Sequence, residues 1–194
     1  MSGTNMIFRR FTVGSYPING YLVADPETHI GVFIDPGGFH EEIAEFITQH
    51  RVELRHIFFT HGHVDHTEGL GEFMERYSLQ RYAGKDEVAA ANFTLHGGEE
   101  LEVGTLRFKT FSTPGHSPSG ISYHCRDRVF TGDALFCGSP GGTASQELAE
   151  MQITEVRKHI FTLPDSTLIF PGHGPMSTVA AEKYANPFFS RVDD

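Results

Sequence analysis

The chain has 194 residues, enough for one domain with a sizeable core at 39% hydrophobic content. Its formal charge of −10 argues against a nucleic acid or an anionic membrane as partner, since either needs a basic face. No apolar run reaches 18 residues, residues 1–10 lack the basic-then-apolar layout of a secretory leader, and Cys125 and Cys137 make no disulfide framework, so a reduced, cytoplasmic protein is expected.

In chain order, strands are predicted at 6–11, 19–24 and 31–34, separated by turns at Pro17 and Pro26, with Asp35-Pro36-Gly37-Gly38 closing the third. A helix follows at 41–49, its Ile43, Phe46 and Ile47 on one face at 3/4 spacing. A strand at 54–59 leads into Thr60-His61-Gly62-His63-Val64-Asp65-His66. Helices at 70–77 and 86–92 flank a strand at 81–83. Short strands recur at 101–103, 107–112, 120–125 and 129–131. An amphipathic helix at 148–161 presents Met151, Ile153, Val156, Ile160 and Phe161. A strand at 167–170 and a helix at 179–185 complete the order, which reads as two sheets flanked by helices. The 17 phenylalanines are expected mostly in the core, as are both cysteines.

The histidine cluster places three imidazoles and a carboxylate within six residues at the mouth of a strand. Neutral imidazole with carboxylate suits zinc, iron or manganese. In extended chain, residues two apart face the same way, so His61 and His63 can converge on one ion, while His66 breaks that parity as a ligand of a second ion would. Three later segments repeat the setting: Thr113-Pro114-Gly115-His116, Thr131-Gly132-Asp133 and Pro171-Gly172-His173-Gly174 each follow an apolar strand and carry one donor beside a glycine. Four strand ends thus supply seven nitrogen or oxygen donors.

His-x-His-x-Asp-His followed by His116, Asp133 and His173, in that order, resembles the metallo-β-lactamase-fold hydrolases, and most closely their glyoxalase II-like (hydroxyacylglutathione hydrolase-like) branch. The similarity runs from about Phe8 to Phe189. It implies an α/β fold, the four-layer αββα metallo-β-lactamase sandwich, as a single domain over 1–194. By position, the resemblance assigns His61, His63 and His116 to a first metal and Asp65, His66 and His173 to a second, with Asp133 between both. It further implies two divalent ions, zinc first and iron or manganese as alternatives. Two such ions about 3.5–4 Å apart can share a water and lower its pKa toward neutrality. With Asp65 and Asp133 as catalytic carboxylates, the implied reaction is hydrolysis of a small thioester resembling S-lactoylglutathione. A thiolate leaves with little acid assistance, and no dedicated general acid stands out in the chain.

Many relatives carry Arg and Asp where this chain has Gly142 and Ala144, and the basic helical C-terminal domain that grips glutathione in glyoxalase II is not expected here. A less anionic substrate is therefore expected, with Phe136, Ser139 and Thr143 as its contacts. The same fold also serves a mononuclear iron persulfide dioxygenase, for which His61, His116 and Asp133 would suffice, and lactonases. Phosphodiesterases of the fold would want a basic surface, and the diiron electron-transfer relatives have Glu in place of the motif's second His.

Overall fold

The computed structural model describes residues 6–189; five residues at each end of the expected 1–194 domain lie outside the described residues. One sheet runs in sequence order through β1 (Ile7–Val13), β2 (Ile18–Ala24), β3 (Ile30–Ile34), β4 (Glu53–Phe58), β5 (Gln80–Gly84) and β6 (Phe93–Leu95). Its first three strands are antiparallel and the pairs from β3 to β6 are parallel. The other sheet is ordered β12 (Ser177–Thr178), β11 (Leu168–Pro171), β10 (Arg128–Gly132), β9 (Ile121–Cys125), β8 (Leu106–Ser112) and β7 (Glu100–Val103), antiparallel except for β10 with β11.

Side chains alternate across each strand and so divide the core into three. Tyr21, Val23, Val32, Ile34 and Phe58 meet Phe108, Tyr123, Phe130 and Phe170 between the sheets. The intervening Leu22, Ala24, Phe33 and Ile57 pack outward with Ile43 and Phe46 of α1 (Glu41–Gln49) and Phe73 of α3 (Leu70–Arg76). On the far side, Phe111, Val129 and Ile169 pack with Val156 of α4 (Gln146–His159) and Val179 of α5 (Val179–Ala185). The result is the expected αββα sandwich. Each large side chain buried this way contributes about 1.5–3 kcal/mol. Phe58, for example, stacks on Tyr123 at 4.8 Å and meets Phe108 edge-on at 5.3 Å.

The sheets are also joined by hydrogen bonds near one edge. Asn19 donates its backbone N–H to the Gly172 carbonyl (2.8 Å), and the Tyr21 hydroxyl donates to Pro171 (2.6 Å). Ile121 N–H donates to Thr60 (2.8 Å), and the Tyr123 hydroxyl to Phe59 (2.7 Å). Crossovers through helices point β3, β4, β10 and β11 the same way within each parallel pair, so that their C-terminal ends gather at this stitched edge.

Several expectations need correction. Residues 86–92 are turns leading into β6, not a helix: Asp86 adopts a left-handed φ of 60°, and the Glu87 carboxylate is engaged by backbone amides of other segments. A short helix, α2 (Val64–Thr67), lies inside the histidine cluster where extended chain was expected. On α4, Met151 is 45% exposed and the buried positions are Gln152 and Val156, because Gln152 has carbonyls to satisfy beneath it. Cys125 is buried as expected, but Cys137 is exposed on the loop after β10.

Candidate metal centre

All seven expected donors come together at the stitched edge. His61 and His63 follow β4, and His63 (φ −63°, ψ 148°) is the last extended residue before α2 turns the chain, carrying Asp65 and His66. His116 lies between β8 and β9, Asp133 follows β10, and His173 follows β11. Their donor atoms form three groups, each within 4.8 Å: His61, His63 and His116; His61, His66 and Asp133; and Asp65, His66 and His173. His66 therefore does not face away from His61, as strand parity implied. The helical turn of α2 brings the two rings to 4.1 Å between centroids, where two groups adjoin.

Hydrogen bonds at the outer ring nitrogens aim the inner ones. The His61 Nδ1 lies 3.0 Å from the Thr60 hydroxyl, which itself donates to Asp35 at 2.7 Å. The His116 Nδ1 reaches the Gly142 carbonyl (2.6 Å) and the His173 Nδ1 the Pro17 carbonyl (3.2 Å). With protons on those outer nitrogens, the His61 and His116 Nε2 atoms present lone pairs to the His63 Nδ1 at 3.1 and 2.9 Å. One His63 proton can serve only one of them, so three ring nitrogens face a common point with too few protons to share.

The second group shows the same deficit in buried form. His66 Nδ1 donates to Asp35 Oδ2 at 2.9 Å, leaving Nε2 directed at Asp133 Oδ1, 3.4 Å away. That separation is an ionic contact and not a hydrogen bond, and both atoms are buried with no hydrogen-bond partner. His173 Nε2 lies 3.4 Å from Asp65 Oδ2 and 3.6 Å from Asp133 Oδ2, and His116 Nε2 lies 3.4 Å from Asp133 Oδ2. Asp133 thus touches both groups. Buried polar atoms left unpaired are costly, and a cation among these donors removes the cost. The donor set fits a divalent metal.

Electrostatics divides the histidines. Burial, reinforced by the neighbouring His66 ring, pushes His61 down to about 2, so it is a neutral donor. His66 is equally buried, but the Asp35 and Asp133 carboxylates override burial and hold it at about 10. Asp133, despite its own burial, is drawn down to about 2 by His66 and then His61.

Backbone shape is part of the site. A Cβ at Gly172 would run into Asp133 Oδ1 and His66 Cε1, and one at Gly132, whose φ is +50°, would run into the Thr60 side chain. Of the expected substrate contacts, Phe136 reaches the centre, its ring edge-on to His173 at 5.8 Å. Ser139 instead accepts from Phe136 N–H through its carbonyl, and Thr143 donates its hydroxyl to the Ser145 carbonyl; both shape the loop. Sequence reasoning missed Asp35, which accepts from His66, Thr60 N–H and the Thr60 hydroxyl. It also missed Gln152, whose amide donates to the Asp133 and Ala134 carbonyls. The available signal for Asp35 was its place at the end of a fully apolar strand, the same setting that flagged Asp133.

A profile of the metallo-beta-lactamase superfamily matches residues 13–173. The chain belongs to that superfamily, whose fold binds divalent metals. It is similar to the probable metallo-hydrolase YqgX of Bacillus subtilis, 32% identical over 95% of this chain and 98% of that protein. It is 28% identical to the hydroxyacylglutathione hydrolase GloC of Haemophilus influenzae, over 92% of this chain and 95% of that one, which supports the glyoxalase II-like branch. It is also 30% identical to the mitochondrial persulfide dioxygenase ETHE1 of Bos taurus, over 96% of this chain and 77% of that one. The crystal structure of ETHE1 from Myxococcus xanthus superposes with a TM-score of 0.82 at 35% identity, covering 94% of this chain and 84% of that one. Among the described residues, no helix is long and apolar enough to cross a membrane.

Proposed function

We propose that the protein is a cytoplasmic, metal-dependent hydrolase of small thioesters, with His61, His63 and His116 holding one divalent ion, Asp65, His66 and His173 a second, and Asp133 contacting both. Zinc is the first candidate, with iron or manganese as alternatives. The observation that carries the reading is three overlapping donor groups, the middle one, of His61, His66 and Asp133, holding the buried, unpartnered His66 Nε2 and Asp133 Oδ1. Ions bound there would acidify a water and draw charge from a carbonyl oxygen.

The chain's own groups supply the remainder. Asp65 is half-buried, with Oδ2 near His173 Nε2, and is placed to orient the attacking water and take its proton. A thiolate leaving group needs no proton at the moment of departure. Phe136, against His173, offers an apolar wall, and Val64, 69% exposed, stands between His63 and Asp65. With Gly142 and Ala144 where many relatives carry Arg and Asp, a compact acyl thioester with little negative charge fits this surface better than a glutathione conjugate.

The test is metal analysis of purified protein with assays on S-lactoylglutathione, simple acyl thioesters, lactones and a persulfide. Thiol release from thioesters, with a high KM for the glutathione conjugate, is expected; low-micromolar saturation by that conjugate contradicts the substrate reading. A second reading, mononuclear iron persulfide dioxygenase, draws support from the similarity to both ETHE1 proteins. One iron per chain with oxygen uptake on a persulfide, and no thioester cleavage, would select it.

A further inference from the structure

The loops that bear the three-imidazole group come from different sheets. His61 and His63 extend from β4, whereas His116 lies between β8 and β9. Backbone contact between the sheets reaches as far as Thr60, through the Ile121 N–H. Beyond Thr60, one carboxylate spans the two donor loops. Glu87 Oε2 accepts the N–H of Gly62, the residue between His61 and His63, at 2.9 Å, and its Oε1 accepts the N–H of Ser119, three residues after His116, at 2.6 Å. Both bonds end on oxygens of the same carboxyl group, so one side chain ties the two loops together.

The turn that carries Glu87 is wedged where it can do this. A Cβ at Gly62 would run into the Glu87 carbonyl, and a Cβ at Gly84 would run into the Ser119 carbonyl. The β5–β6 turn therefore closes on both loops by shape as well as by hydrogen bond. The Asp65, His66 and His173 group has other braces, the Asp35 carboxylate and the Pro17 carbonyl. Among the described residues, the hydrogen bonds of the Glu87 carboxylate go to the backbone that carries the metal donors and not to the donor side chains.

We infer that Glu87 is a positioning residue that sets the spacing of His61, His63 and His116, and so tunes one ion of the centre and not the other. The inference rests on the two-ion reading above. Groups that orient metal ligands from outside typically contribute about 10–100-fold in metal affinity. Glu87→Gln keeps the length of the side chain but turns one of its two acceptors into a donor facing an N–H. Glu87→Asp keeps the charge but is too short to span both amides.

The experiment titrates zinc into metal-free wild type, Glu87→Gln and Glu87→Asp against a competing chelator, records cobalt spectra of the same proteins, and measures the Tm of each without metal. Wild type should bind two ions. In Glu87→Gln one binding step should weaken by about tenfold or more while the other stays within about twofold. The cobalt band of the weakened step should shift, Glu87→Asp should fall between, and the metal-free Tm should be unchanged. Two unaltered steps in Glu87→Gln overturn the inference, as does an equal loss at both steps accompanied by a lower metal-free Tm. A wild type that binds one ion contradicts the two-ion reading instead. In that case a weakened single step in Glu87→Gln at unchanged Tm still supports Glu87 as the positioning group, and an unaltered one rejects it.

Discussion

Two buried imidazoles of the centre, His61 and His66, stand in opposite electrostatic settings. Around His61 the close neighbours are three imidazoles with Asp133, and its outer nitrogen meets a hydroxyl; burial and the His66 ring outweigh Asp133 and keep the ring neutral, at about 2. Around His66 the neighbours are Asp35 and Asp133, and the ring is held at about 10. Burial is the same for both, so the difference comes from what shares the space. An imidazole among imidazoles is a lone-pair donor as it stands; an imidazole between two carboxylates holds a proton that it would have to release before donating to a cation. Asp133 belongs to both settings, and its contacts with His66, His116 and His173 make it the joint between them.

The sharpest way to break this contrast is to remove the joint. Asp133→Ala should abolish turnover and strip metal from the protein while leaving its far-ultraviolet dichroism intact. His63→Ala should also abolish turnover, but the metal lost should come from the imidazole group. Near-normal hydrolysis in either variant would mean that the donors are misassigned. Asp35→Asn should cost about 10–100-fold in metal affinity, most of it in the group containing His66, as read by chelator competition. Gly172→Ala should lower the stability of the metal-free protein by about 1–3 kcal/mol through crowding against Asp133 and His66, as measured by denaturant unfolding.

The smallest effect concerns a histidine outside both groups. His56 on β4 is buried with Nδ1 unpartnered, and burial, then Arg55, holds it below its usual value. The unfolded chain then binds the proton more readily, so this contribution to stability is present above about pH 6.5 and is lost as the pH falls below it. Acid titration of stability in metal-free protein should be shallower for His56→Gln than for wild type.

Much of this was legible from residue order, for identifiable reasons. Helix α1 sits where periodicity put it, because Ile43, Phe46 and Ile47 bury one apolar face against a sheet, and α5 lies at the expected 179–185 although it buries Glu182 beside Val179. His61, His63, His116, Asp133 and His173 were legible because each follows an apolar strand beside a glycine that the local backbone requires. Less legible was whatever depends on contact between distant segments. Residues 86–92 have helical composition, but Glu87 is engaged by Gly62 and Ser119, partners that adjacency does not reveal. Gln152 occupies a face of α4 that hydropathy assigns to Met151, because the Asp133 and Ala134 carbonyls lie beneath it. Cys137 was expected inside as a small hydrophobe, yet the loop after Asp133 turns it outward.

The stitched edge also bears on the order in which the donors can assemble. His61, His63, Asp65 and His66 emerge from the ribosome within a few residues of one another, whereas His173 follows more than a hundred residues later. Bringing such distant partners together carries a loop-closure cost and is slow compared with local pairing. The donor groups are therefore complete only after the segments bearing His116, Asp133 and His173 have folded against the earlier strands. Docking of the second sheet, tied through Asn19, Tyr21 and Tyr123, brings those segments into place, so donors encoded far apart are assembled by the step that closes the sandwich.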